Sequence, residues 1–204
     1  MGDLQFGVAY AGLLGVILDP YWCDKYNGGR DREISWCLNV HATPLEIDGE
    51  IWEPSAEWGE LQFHVQRWFD IVGVTVSWDS PRDPVSGARY GTFGVFEYEE
   101  IRSGRITFID RTGNTLLMRS SGIGNVGYDE KYDEDVPFEI EAHVLFEGIR
   151  VNGSDRDHEN DFRRRLEEQV SLDGLCEGAL ERGPGRYDSG VGMRSRMFVP
   201  DSQG

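Results

Sequence analysis

Lysine is nearly absent from this sequence. It occurs only at Lys25 and Lys131, so arginine supplies almost all of the positive charge. Against 20 basic residues stand 37 acidic ones, for a formal net charge of −17 over 204 residues. A surface this negative repels phosphate backbones and anionic lipid, which argues against nucleic-acid binding and membrane attachment and points to a protein partner with a basic surface. The same lysine-poor acidity also suits a salt-adapted host, and it would then report habitat rather than partner.

Cysteine is scarce as well. Cys23, Cys37 and Cys176 are odd in number and follow neither CxxC nor zinc-type spacing, so they read as reduced thiols in a cytoplasmic protein. Long hydrophobic runs are missing. The apolar stretch from Val8 to Leu18 is too short to span a bilayer, and its flank carries Asp3 and no positive charge, unlike a signal peptide. It is expected to be a buried strand behind a short N-terminal arm.

Catalytic and cofactor motifs are lacking too. There is no GxSxG elbow, and the Gly/Ser-rich run from Arg119 to Asn125 has no phosphate-binding lysine, so it reads as a loop. The acidic run from Ser154 to Asp161 resembles a calcium loop only superficially. Counted from Asp155, the sixth and twelfth positions are Asn160 and Leu166, where an EF-hand needs glycine and glutamate. No cofactor, no metal and no catalytic residue is expected.

What is present is strand pattern. With 39% apolar and 12% aromatic residues the chain has the composition of a packed globule. It reads as one β-rich domain over 1–204, with an N-terminal arm (1–33) and a Gly-rich basic tail (183–204). Ile34, Trp36, Leu38, Val40 and Ala42 alternate with polar residues, as a half-buried strand requires. Leu45 to Ile47 and Glu50 to Trp52 flank Asp48-Gly49, a pair suited to the positive φ angles of a type I′ hairpin turn. Further strands are expected at Leu61 to Gln66, Ile71 to Trp78 and Gly91 to Glu99. Another two are expected at Arg105 to Asp110 and Asn114 to Arg119, and a last one at Pro137 to Glu147. In this last one Phe138, Ile140, Ala142, Val144 and Phe146 form the buried face, and Glu139, Glu141, His143 and Glu147 most of the other.

A helix follows within Asp157 to Leu175. Phe162, Leu166 and Val170 recur at four-residue spacing behind acidic capping candidates from Asp157 to Asp161. Short strands without alternating helices predict an antiparallel β-sandwich or barrel with this one α-helix packed on it.

Three functional classes remain. Tyr128, Asp129, Glu130, Tyr132, Asp133, Glu134 and Asp135 interleave aromatic and acidic side chains, the composition of a loop that steers a basic partner and then holds it. Of the six tryptophans, Trp58, among Ser55, Glu57 and Glu60, is the best candidate for an exposed anchor. With no active site, these residues suggest a non-enzymatic binding module, an inhibitor or immunity-type protein that neutralises a basic partner. The second class is a structural subunit of a virion or other large assembly, joined through the N-terminal arm or the basic tail. The third is a metal-dependent, cupin-like enzyme, which requires His41, His64 and His143 to converge with Glu139 or Glu141.

Overall fold

The computed structural model describes residues 5–18, 33–84, 87–125, 135–186 and 191–201. Strands account for 61% against one α-helix, as the alternation predicts. In chain order they are β1 (Val8–Ile17), β2 (Ser35–Ala42), β3 (Leu45–Ile47), β4 (Glu50–Trp52), β5 (Ser55–Gln62), β6 (Thr75–Trp78) and β7 (Thr92–Gly94). Then follow β8 (Tyr98–Glu100), β9 (Ser103–Thr112), β10 (Thr115–Gly124), β11 (Val136–Ser154), helix α1 (Glu159–Glu167), β12 (Leu175–Arg186) and β13 (Gly192–Pro200). No helix among the described residues is long and apolar enough to cross a membrane.

The chain forms two compact units. The first comprises Met1–Leu13, Cys37–Leu61 and Val72–Leu145, and the second Leu14–Trp36, Gln62–Ile71 and Phe146–Gly204.

In the first unit the strand order is β6-β9-β10-β11-β1-β2-β5-β7-β8, with the β3–β4 hairpin as a separate ribbon. Hairpin connections hold β9, β10 and β11 antiparallel, in a register that pairs Met118 with both Phe108 and Ala142. Because successive side chains alternate between faces, this register brings Ile106, Phe108, Leu116, Met118, Ala142 and Val144 onto one buried face. Glu139, Glu141 and His143 are exposed on the other, as their alternation predicts. Phe138 and Ile140, near the start of β11, are half-buried rather than fully enclosed.

The expectation of a purely antiparallel fold needs correction, because the sheet is mixed. Val8 lines a cleft with Ile140 and Glu141 in the first unit, and Gly15 lies against Ile149 in the second. Sequence number therefore rises together along β1 and β11, which run parallel. Such pairing needs a long connection, and the chain from Ile17 to Val136 provides one that no local hairpin signal reveals.

Several strand boundaries also differ. The strand expected at Leu61 to Gln66 begins earlier, at Ser55, because Glu60 adopts φ 53° and breaks the alternation. Trp58 is buried before this break and Leu61 after it, as at a β-bulge. Ile71 ends a 3-10 turn (Trp68–Ile71) instead of starting a strand. Asp70 holds that turn by accepting hydrogen bonds from Arg67 N (3.1 Å) and Arg67 Nε (3.0 Å). The Arg67 side chain also keeps the Asp70 carboxyl below its ordinary pKa. Gly91 to Glu99 is not one strand but the tight β7–β8 pair. The expected loop from Arg119 to Asn125 is the continuation of β10 to Gly124, paired on both edges.

In the second unit the end of β11 pairs with β13, which pairs in turn with β12. Trp68 stacks on Phe146 (4.5 Å) and Trp36 on Phe63 (4.9 Å), and the two indoles donate to the carbonyls of Gly174 and Phe63, respectively. Helix α1 buries Phe162 and Leu166. Its N-terminus is fixed by His158 N donating to Asp161 Oδ2 (2.9 Å), so one of the three acidic candidates from Asp157 to Asp161 serves in capping. Part of the expected basic tail is thus β13 itself, docked on its own body.

Candidate functional site

The β3–β4 hairpin belongs to the first unit. Asp48 (φ 54°) and Gly49 (φ 88°) both have the positive φ that a type I′ turn demands, which confirms the Asp-Gly signal. The register pairs Leu45 with Trp52, Glu46 with Ile51 and Ile47 with Glu50. Leu45, Ile47 and Trp52 share the half-buried face, where Trp52 meets Phe96 edge-on at 4.8 Å. Ile51 is turned to the opposite face and is 75% exposed, more than any other large apolar residue among the described residues.

Glu46 is paired opposite it, and Glu50 and Glu53 flank it along the chain, all three exposed and without an ion pair among the described residues. No lysine or arginine occurs between Arg32 and Arg67, so no cation adjacent in sequence neutralises them. This cation-free stretch is legible in the sequence, whereas the exposure of Ile51 is not.

The loop singled out from sequence falls largely outside the described residues: this applies to Tyr128, Asp129, Glu130, Tyr132, Asp133 and Glu134. Asp135, at its end, adopts φ 61°, pairs with Arg102 Nη1 (2.6 Å) and donates its backbone N–H to Asn125 Oδ1 (3.2 Å). It ties down the base of the loop, and its charge is already matched.

Trp58 is not an exposed anchor. It is 1% exposed, and a Cβ on Gly91 would lie 2.5 Å from its indole, so the missing side chain of Gly91 is what lets the ring pack there. Alternation puts Trp58 on the same inward face of β5 as Ala56, and that outweighs its acidic sequence neighbours.

No protein-family model, curated protein or solved structure matches this chain. The chemistry must therefore be read from the residues alone. His41 is exposed beside the Tyr10 ring (6.0 Å), His64 lies 3.5 Å from Glu33, and His143 is exposed on β11. Among the described residues no three His, Cys, Asp or Glu side chains are placed to hold a metal.

The acidic run before α1 has a structural use. Asp157 accepts hydrogen bonds from Ser154 N (2.6 Å), Ser154 Oγ (3.0 Å) and Arg165 Nη2 (2.5 Å). The basic residues of β13 are likewise engaged within the second unit. Arg194 donates to the Asp157 carbonyl, and Arg196 pairs with Glu177 and more distantly with Glu159.

Burial pushes the Asp157 pKa up, but the hydrogen bonds from Ser154 and the charge of Arg165 outweigh it, so the carboxyl titrates below its ordinary value. A depressed folded-state pKa contributes stability that is fully present above the unfolded value and is lost as pH falls through the folded one. Asp157→Asn should therefore cost about 1.5–3 kcal/mol at neutral pH, on the scale of hydrogen bonds to charged groups. It should also flatten the fall in stability below about pH 4. Urea titrations of parent and variant across that range measure both; an unchanged acid limb would show that Asp157 is not the group responsible.

Proposed function

We propose that the chain is a protein-binding module that neutralises a partner with a basic surface, and that it acts by occupying that surface rather than by catalysis. The observation that carries this reading is Ile51, a large apolar side chain presented to solvent on a hairpin whose surrounding carboxylates have no countercharge. An isolated exposed aliphatic residue has no folding benefit, but it suits a contact in which it fills an apolar hollow while Glu46, Glu50 and Glu53 meet cations at the rim. Tyr128, Asp129, Glu130, Tyr132, Asp133 and Glu134 are proposed as a second contact of the same kind. The overall charge of −17 favours encounter with such a partner from a distance.

The test begins with capture from the native source at low and high salt, followed by rate measurements on the purified pair. Glu46→Lys, Glu50→Lys and Glu53→Lys together should slow association about tenfold or more, because exposed rim charges act chiefly on encounter. Ile51→Ala should instead speed dissociation by about tenfold, since it removes a desolvated apolar contact. Concentrated salt should reproduce the charge reversal as the Debye length shrinks to about 3 Å near 1 M. If hairpin variants keep parental rates at every salt concentration, the hairpin is not the interface, and the same measurement on Tyr128 and Tyr132 variants then decides for or against the loop.

A further inference from the structure

In the first unit, β6, β9, β10 and β11 turn one face away from the core. Two contacts mark that outer face: Thr75 Oγ1 and Thr107 Oγ1 lie 3.0 Å apart, and Arg119 pairs with Glu141 (2.5 Å). Two residues further along each strand, the register sets Ser77, Arg105, Ser121 and Glu139 directly opposite one another. Because side chains alternate between faces, this row shares the outer face with the two contacts. The next outward row is Ser103, Ile123 and Pro137.

Short and long side chains alternate across the middle row, so Arg105 and Glu139 stand on either side of Ser121 and border a hollow of about 670 Å³. It opens outward. The inner side of the same strands is filled, since a Cβ on Gly104 would lie 2.7 Å from the Trp78 ring and one on Gly122 2.8 Å from the Phe138 ring.

Arg105 and Glu139 are both exposed, and neither has a hydrogen bond or an ion pair among the described residues. Spacing explains this. Arg119 and Glu141 stand on neighbouring strands and pair, whereas β10 separates Arg105 from Glu139 and holds their backbones about 9–10 Å apart at the usual strand spacing. Asp79 also borders the hollow, without an ion pair to Arg105. A free cation and a free carboxylate on one face, with the Ser121 hydroxyl between them and Ile123 and Pro137 beside it, suit a ligand with two opposite charges on a short hydrocarbon spacer.

We propose that this hollow binds a small ω-amino acid, its carboxylate on Arg105, its ammonium on Glu139 and its methylene spacer crossing Ser121 against Ile123 and Pro137. The site is separate from the hairpin interface, since none of its residues belongs to β3 or β4.

6-Aminohexanoate is the probe, with hexanoate and hexylamine as controls that each lack one charge. All three are followed by NMR titration of the full chain at physiological ionic strength, where the net charge is screened beyond about 8 Å. The zwitterion should saturate with one-to-one stoichiometry and bind about tenfold more tightly than either control, the difference one charge-assisted hydrogen bond supplies. Glu139→Gln should erase the preference over hexanoate and keep that over hexylamine; Arg105→Gln should do the reverse. Both positions are exposed, so folding is not at stake. Ser121→Leu should abolish binding of all three by filling the floor between the charges. A control that binds as tightly as the zwitterion, a preference that survives the loss of its own partner, or no saturable binding of the zwitterion would each overturn the proposal.

Discussion

Replacing Gly148 by valine should cost about 3 kcal/mol or more and release β13 from the end of β11. Gly148 has φ 124°, a conformation that side chains rarely adopt, and a Cβ built there would collide with the backbone carbonyl oxygen of Phe198. The site is a change of face within one strand. Before it, the even-numbered Ala142, Val144 and Phe146 of β11 are buried; after it, Ile149 and Val151 are buried and Arg150 is exposed. Without that shift Ile149 and Val151 would point to solvent and Arg150 inward, because a one-residue slip exchanges the two faces of a strand. Valine adds a β-branched side chain at the point where Ile149 pairs with Phe198. Urea denaturation should show the loss, and hydrogen exchange should show it centred on the amides of β13. A variant within about 1 kcal/mol of the parent would mean that the β11–β13 pairing tolerates a bulkier residue and that Gly148 is not essential to it.

Phe162→Ala should cost about 3–5 kcal/mol, the range for truncating an aromatic ring in a packed core. Phe162 is completely buried, and its ring touches the space a Cβ on Gly153 would fill, at 2.7 Å. The guanidinium carbons of Arg165 and Arg194 lie 5.9 and 6.0 Å from its centroid. Removing the ring therefore opens a cavity between α1 and the β11–β13 pair, and also withdraws the aromatic surface on which two arginines rest. Phe162→Leu keeps most of the volume and should lose less than half as much. Equal losses for the two variants would show that contact with the arginines, rather than filled volume, is what the position requires.

The sequence was informative wherever a contact is local. Asp48-Gly49 specified a turn because few residue pairs accept two consecutive positive φ angles, and the alternation from Ile34 to Val40 specified a buried face because successive side chains oppose one another in a strand. The i, i+4 spacing of Phe162 and Leu166 likewise identified the helix and its buried side. Reading failed where one residue interrupts a period. Glu60 in β5 and Gly148 in β11 each shift the inward set by one position, so a window that straddles either of them loses its alternation. The shift is visible in the apolar residues of β11, which, apart from Pro137 and Leu145, fall at even numbers through Phe146 and at odd numbers from Ile149.

For the candidate site, composition alone supplied the net charge of the chain. It could not separate carboxylates that are matched from those that are free. Asp135, Asp157 and Glu141 all belong to acidic stretches, yet each is held by an arginine between 8 and 33 residues away in sequence. Glu46, Glu50 and Glu53 are not. Trp58 shows the same limit in apolar form, since its acidic sequence neighbours suggested exposure while Gly91, brought over it by the pairing of β5 with β7, made room for its burial. Local sequence thus determined which residues turn, alternate or coil, because those preferences act within a few residues. Only tertiary structure decided which strands run parallel, which charges are matched and which aromatic rings are covered, because those depend on segments that meet only after the chain has folded.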